Sequence, residues 1–295
     1  MRTKTNTAIR IICLLLAVIT VCPFIFSCGK GGSDITTTTT EKQKKDPNDF
    51  IYSGETVKLY GNGLEPVIYV DSADYKQSVR AVGDLVKDFE RVTDKKPKVV
   101  HTEEELAGAE LAIIIGTLGA SSLVTSLESD GLIGLDGIKG QWEAYNISVI
   151  ENPNENIKKA VVISGSDKRG TIYGTYELSE LIGVSPWYYW GDVEIDKKSV
   201  IELPVEKLSQ TEMPDVKYRG IFLNDEENLA NWSKQFVGKG SAQGVPNTKV
   251  YATIFELMLR LKSNTLWPAM HACNARLLGR LQRIQKSQNG RFVQR

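Results

Sequence analysis

Between residues 50 and 213 the chain alternates short apolar runs with amphipathic stretches. Residues 56–60 and 67–70, split by Gly61-Asn62-Gly63, read as strands. In residues 75–93 Val79, Val82, Val86 and Phe89 recur at steps of three and four, the spacing of one helix face. Residues 98–101 and 111–116 are further strands, the second a continuous apolar run of the fully buried kind. A short helix over 121–128 starts at a serine. Strands over 142–149 and 160–165 flank the turn-rich Glu151-Asn-Pro-Asn-Glu-Asn156. A helix follows over 169–182, and a strand at 200–203 closes the unit. Crossovers mixed with a hairpin predict a mixed sheet covered by helices, in one domain of ordinary size over residues 50–213.

The pattern changes after residue 213. Tyr218-Arg-Gly-Ile-Phe-Leu-Asn-Asp225 reads as one strand ending in an amide and a carboxylate. A helix-period run over 249–263 places Val250, Ile254, Leu257, Met258 and Leu261 on one broad apolar face. A second strand spans 264–271. Strand, helix and strand, with polar and aromatic groups at the strand ends, is how a (β/α)8 barrel opens, and barrel chemistry sits at the C-terminal strand ends. Asn224 and Asp225 therefore land on the catalytic face. The predicted fold class is α/β: an N-terminal mixed-sheet domain, then the first β-α-β of a truncated (β/α)8, or TIM-type, barrel over 214–273. A barrel takes about 250 residues, so with only two strands the helix is expected to leave much of its apolar face uncovered.

The ends add compartment rather than fold. Arg2, Lys4 and Arg10 precede an apolar run over 11–26, too short and wrongly flanked to span a membrane, so residues 1–28 read as a processed signal. The run ends Ile25-Phe26-Ser27-Cys28, which resembles a bacterial lipobox with Cys28 as the lipidated residue; a plain secretory signal cut elsewhere is the other reading. Residues 29–49, with five consecutive threonines, read as a flexible tether. The expected location is a lipid anchor in the bacterial cell envelope, periplasmic or on the surface. Cys13 and Cys22 leave with the signal and Cys273 stands alone, so no disulfide framework is expected.

Acidic and basic residues balance at 36 each. Residues 272–295, however, hold five arginines, one lysine and no carboxylate, leaving 30 bases against 36 acids, a net −6, in residues 1–271. A basic tail can bind nucleic acid or anionic lipid. This one lacks aromatic platforms and has no second basic region beside it. No nucleic-acid partner is predicted, and an out-of-frame stretch over 274–295 is the simpler account.

Two glycine-rich turns invite a phosphate. Ile115-Gly-Thr-Leu-Gly119 lies between a strand and a helix, but it is neither GxGxxG nor GxxxxGK[ST], so a tight turn explains it. Before the helix at 169, Asp167 is placed to cap, and Arg169 to reach toward a neighbouring site. His101 and His271 are the two histidines, and no ligand set for a metal is recognisable.

Four segments, in order, resemble glycoside hydrolase family 115, the xylan α-1,2-glucuronidases: Gly165-Ser-Asp-Lys-Arg-Gly-Thr-Ile-Tyr-Gly-Thr-Tyr-Glu-Leu-Ser179, Gly183-Val-Ser-Pro-Trp187, Tyr218 through Glu226, and Phe255-Glu-Leu-Met-Leu-Arg-Leu-Lys-Ser-Asn-Thr-Leu-Trp-Pro-Ala-Met-His271. The resemblance spans roughly residues 50–273. It implies an α/β domain followed by a TIM-type barrel, a helical domain and a β-rich domain. It implies release of glucuronic acid, or its 4-O-methyl ether, from glucuronoxylan or its oligosaccharides with inversion and no organic cofactor. Inversion takes two carboxyl groups about 6.5–9.5 Å apart. Asp225 is the candidate catalytic carboxylate; Asn224, Trp267, His271 and Arg169 are candidate substrate contacts, Arg169 through the uronate carboxylate. Trp232, in the expected loop over 226–247, is a candidate rim residue, or an ordinary surface anchor. By itself the chain is expected to be inactive. The rival readings are a non-catalytic glycan-binding surface lipoprotein and a hydrolase of the same layout acting on another sugar, such as a hexosaminidase.

Overall fold

The structure, a computed structural model, describes residues 54–224, 227–236 and 248–268. Strands β1 (Thr56–Tyr60) and β2 (Val67–Val70), helix α1 (Lys76–Thr93) and β3 (Lys98–Val100) come first. Next are β4 (Ala112–Thr117), α2 (Ser122–Ser129), the hairpin of β5 (Tyr145–Asn154) and β6 (Ile157–Gly165), and α3 (Lys168–Leu181). Two short strands, β7 (Ile201–Pro204) and β8 (Gln210–Glu212), lead to β9 (Gly220–Leu223), α4 (Glu227–Phe236), α5 (Thr248–Arg260) and β10 (Thr265–Pro268).

The expected mixed sheet is present, in the order β3-β2-β4-β6-β5-β8. Its first four strands are parallel, while β5 runs antiparallel to both β6 and β8. All six residues of β4 are buried, as its unbroken apolar run requires. Alternation along that strand sends Ile113 and Ile115 toward α1 and α3, where Leu85, Phe89, Ile172 and Tyr173 join the same core. Ile114 points the other way, to Leu123, Val124 and Leu127 of α2. The cap expected at Asp167 forms, its side chain accepting from the Arg169 and Gly170 N–H groups; Ser121, read as the first residue of its helix, is the cap of α2 and accepts from the Val124 N–H.

Two expectations for this domain are corrected. β7 does not close it; it pairs antiparallel with β1 in a separate two-stranded ribbon, and a further strand follows. The edge is taken by β8, whose Gln-Thr-Glu sequence has no apolar pattern to betray a strand. The supposed turn over 151–156 is largely strand, with β5 reaching Asn154 and β6 restarting at Ile157, because backbone pairing continues through polar residues.

β9 and β10 pair in parallel, Gly220 opposite Thr265 through Leu223 opposite Pro268, as in the opening unit of a TIM-type barrel. The segment between them is not one long loop, since α4 occupies part of it. Nor is α5 left uncovered. Val250, Tyr251, Ile254, Phe255 and Met258 are buried with Leu266 of β10, and Leu223, Leu229, Trp232 and Trp190 pack against them. On its other side Leu259 enters the main core of the α/β domain. The cover thus comes from β9, β10 and α4 on one side and, through Trp190 and the core that Leu259 enters, from the α/β domain on the other.

Candidate functional site

Side chains of β9 and β10 divide between two faces. Leu223 and Leu266 face the helices, while Phe222 and Trp267, directly paired in register, face the other way. Those two rings meet edge to face, 6.1 Å between centroids at 82°. Among the described residues nothing buries them: Phe222 is 62 % exposed and Trp267 67 % exposed. In a closed barrel this is the inner face. Asn224, one residue beyond β9, is exposed. Thus Asn224 and Trp267 lie at or just beyond the C-terminal ends of neighbouring parallel strands. Asp225 and His271 fall outside the described residues, as does Cys28.

Arg169 stands elsewhere. Its Nη1 donates to Glu143 Oε1 at 2.6 Å. Glu143 also receives Arg219 Nη2 at 2.7 Å and Asn264 Nδ2 at 2.9 Å. Arg219 and Asn264 immediately precede β9 and β10, so this cluster marks the N-terminal ends of the two strands, opposite Asn224 and Trp267. Arg219 further donates from Nε to the Lys262 carbonyl and from Nη1 to the Val216 carbonyl. Gly220 lets the strands approach here, because a Cβ on it would collide with the Thr265 carbonyl.

Next to this cluster an open cleft of 490 Å³ lies between the α/β domain and the segment joining β8 to β9. At its wall Lys262 donates to Glu177 at 2.6 Å, Glu212 at 2.8 Å and the Tyr145 hydroxyl at 2.9 Å. Burial disfavours the ammonium, but the two carboxylates outweigh it and raise the Lys262 pKa. Burial likewise pulls Glu212 upward, and Lys262 with Tyr145 pulls it further down, to a net lowering. Burial, then Glu177 and Glu212, push the Tyr145 hydroxyl far above the ordinary tyrosine range.

The turn at 115–119 is closed to phosphate by the protein's own carboxylates. Asp74 accepts from the Thr117 N–H at 2.7 Å and its hydroxyl at 2.8 Å, and Asp71 accepts from the Ser122 N–H at 3.0 Å. These acceptors sit where a phosphate would meet the same donors. Among the described residues no group of three or more His, Cys, Asp or Glu side chains is placed to hold a metal ion, and no helix is long and apolar enough to cross a membrane. Trp232 is a packing residue of α4, its ring 4.8 Å from Trp190.

The side-chain clusters that the sequence did not reveal are those of Glu143 and Lys262. Glu143 lies 76 residues from Arg219 and 121 from Asn264, and no local pattern links them. The only clue was that Arg219, Lys262 and Asn264 all sit at or near strand beginnings inside the resembling segments.

The family model for glycosyl hydrolase family 115 matches residues 211–288. Among solved structures, a family GH115 4-O-methyl-alpha-glucuronidase, BtGH115A, with specificity for decorated arabinogalactans, is similar at 32 % identity and a TM-score of 0.62. The match covers 74 % of this chain and 26 % of that one, so the chain spans about a quarter of that enzyme's length. A β-hexosaminidase of Streptomyces plicatus matches 72 % of this chain and 31 % of its own at 15 % identity. A GH138 enzyme targeting pectin rhamnogalacturonan II matches 69 % and 24 % at 17 % identity. Their TM-scores, 0.39 and 0.38, are too low to build on. No curated protein sequence matches. The family match over the barrel-opening segment and the 32 % identity across most of the chain agree, and together they support assignment of the chain to glycosyl hydrolase family 115.

Proposed function

We propose that this chain is part of an α-glucuronidase that releases glucuronic acid, or its 4-O-methyl ether, from a uronate-decorated plant polysaccharide, glucuronoxylan first, by inverting hydrolysis. The observation that carries the reading is the exposed Phe222–Trp267 pair at neighbouring parallel strands of a glycoside hydrolase. An indole face stacks on a pyranose ring while polar groups beside it fix the hydroxyls. In this reading Trp267 is the stacking platform, and Asn224 and His271 bind hydroxyls. Asp225 supplies one of the two carboxyl groups that inversion requires. Arg169, engaged with Glu143 at the other strand ends, is left out of the pocket. The two described barrel strands supply one side of a site, and the 295 residues alone are expected to release no sugar. Residues 1–28, with lipidation at Cys28, would hold the protein in the bacterial envelope.

The test is a chimera in which residues 29–268 continue into the barrel and later domains of the similar GH115 enzyme. Release of 4-O-methylglucuronic acid from glucuronoxylan, with a raised KM for Trp267→Ala, is the expected result. Release from arabinogalactan alone would move the substrate but keep the reaction. A folded chimera that binds either glycan without cleaving it would replace the enzyme reading with the non-catalytic one.

A further inference from the structure

Glu143 is the most heavily engaged carboxylate at the junction between the α/β domain and the barrel-opening unit. Its residue is 6 % exposed and its backbone is left-handed, at φ 57°. Non-glycine residues rarely adopt that conformation and hold it only where surrounding contacts over-determine it. Those contacts are present. The Glu143 N–H donates to Asp167 Oδ2 at 3.0 Å, and Asp167 also caps α3. Arg169, at the start of that same helix, donates to the Glu143 side chain. The carboxylate is thereby fixed to the α/β domain, and its remaining acceptor capacity is turned toward the barrel unit.

On the barrel side, Arg219 and Asn264 are also tied to each other. Asn264 Oδ1 accepts from the Arg219 N–H at 2.9 Å, and the Arg219 carbonyl accepts from the Asn264 and Thr265 N–H groups at 2.8 and 2.9 Å. Asn264 Nδ2 donates to the Lys217 carbonyl at 2.6 Å as well as to Glu143. The two strands therefore begin from one cross-linked point anchored on one carboxylate. This matters because side chains alternate between faces along a strand. A slip of one residue would turn Leu266 to the open face and Trp267 into the helix layer. The strands have four residues each, so few ladder bonds of their own resist such a slip.

We propose that Glu143 is a positioning residue: by holding Arg219 and Asn264 it sets the level and register at which β9 and β10 leave the α/β domain. Through that register it determines which side chains, Trp267 and Asn224 among them, are offered to a glycan. The link to glycan rests on the function proposed above; the link to register does not. The α/β domain acts on the site as a template acting from the far ends of the strands, with no contact to substrate required.

Hydrogen exchange on the full 295-residue chain, with 5-fluorotryptophan at its tryptophans, tests the register. Glu143→Ala should speed exchange of the amides of 219–223 and 264–267 by about tenfold or more, with β4 and β6 unchanged. The fluorine resonance of Trp267 should shift or broaden while those of Trp187 and Trp190 stay in place. Glu143→Gln, which keeps an acceptor for Asn264, should return exchange to within about threefold of wild type. Unchanged strand amides and an unchanged Trp267 signal in Glu143→Ala would overturn the proposal. So would faster exchange spread equally through β4 and β6, which would mean general loss of stability. In the chimera, Glu143→Ala should raise KM for glucuronoxylan more than it lowers kcat, and Glu143→Gln should bring KM back toward the unsubstituted value. Should the unsubstituted chimera be inactive, the glucuronidase reading fails while the exchange result still decides the register.

Discussion

Trp267 and Gly170 are residues whose importance lies in opposite places. The Trp267 ring is mostly in solvent and touches one aromatic partner, a contact worth about 0.5–1.5 kcal/mol. Trp267→Ala should therefore cost less than about 1 kcal/mol in urea denaturation while weakening glycan recognition in an active chain. A loss of several kcal/mol would make it a core residue. Gly170, in the long segment over 165–179, has the reverse profile. A Cβ there would collide with the Ala144 carbonyl, with the Ala144 backbone 2.8 Å away at its carbonyl carbon. Gly170→Ala should destabilise by about 2–4 kcal/mol, visible as a lower denaturation midpoint at unchanged slope. Both residues lie within resembling segments, yet only three-dimensional surroundings separate an exposed ring from a packing position.

Helix α5 joins the two parts of the chain through charge as well as apolar burial. Arg260, its last residue, reaches Asp88 of α1 with Nη1 at 2.8 Å and Nη2 at 3.2 Å, both side chains almost wholly buried. The guanidinium lies over the Tyr176 ring at 4.6 Å and also meets Glu256. Breaking a buried pair from one side leaves an uncompensated charge, so Asp88→Ala should cost about 3–5 kcal/mol. The double change Asp88→Leu with Arg260→Met should recover much of that loss, and equal losses in both variants would refute the account. The Lys262 cluster predicts the pH response of the same junction. Glu212 is held below its ordinary value in the folded state. Its contribution is therefore present above the unfolded carboxylate pKa, near about 4.3, and lost as pH falls through the folded value. Lys262, raised in the fold, keeps its contribution until pH rises past its folded value, so the two together leave a plateau across neutral pH. The stability difference between wild type and Glu212→Gln should be constant near pH 7 and shrink below about pH 4. A difference that grew on acidification would contradict the assignment.

At the scale of the molecule, the described elements should unfold together. Because α5 is buried against both the barrel strands and the α/β core, neither part keeps its packing once the other opens. Far-ultraviolet circular dichroism, reporting the whole, and tryptophan fluorescence, weighted toward Trp190 and Trp232, should give coincident thermal transitions. Two separated transitions would show independent domains. Much of this architecture was legible beforehand. The period-two and period-3.6 runs marked β1, β2, α1, β4 and α3 within a residue and α5 within three, since burial of one face leaves a repeating imprint on local sequence. The cap at Asp167 was readable for a related reason, being a local bond to the next turn. Strand β8 was not, because it is three polar residues held by the edge of β5, and helix α4 was read as loop although Leu229, Trp232 and Phe236 recur at steps of three and four.

What the amino-acid sequence determined by itself was what leaves a repeating or local imprint along the chain: the strongly patterned elements, the cap at Asp167, and with them the mixed sheet, the barrel-opening pair and the family resemblance. What tertiary structure alone decided was who meets whom across long separations. It placed Arg169 with Glu143 rather than beside Asn224, filled the phosphate-like turn with Asp71 and Asp74, and covered α5 with α4 and the barrel strands on one side and the α/β core on the other. The physical reason is that a buried charge or apolar face must find a partner, but periodicity states only that the need exists. Which distant side chain meets that need is settled when the chain closes on itself.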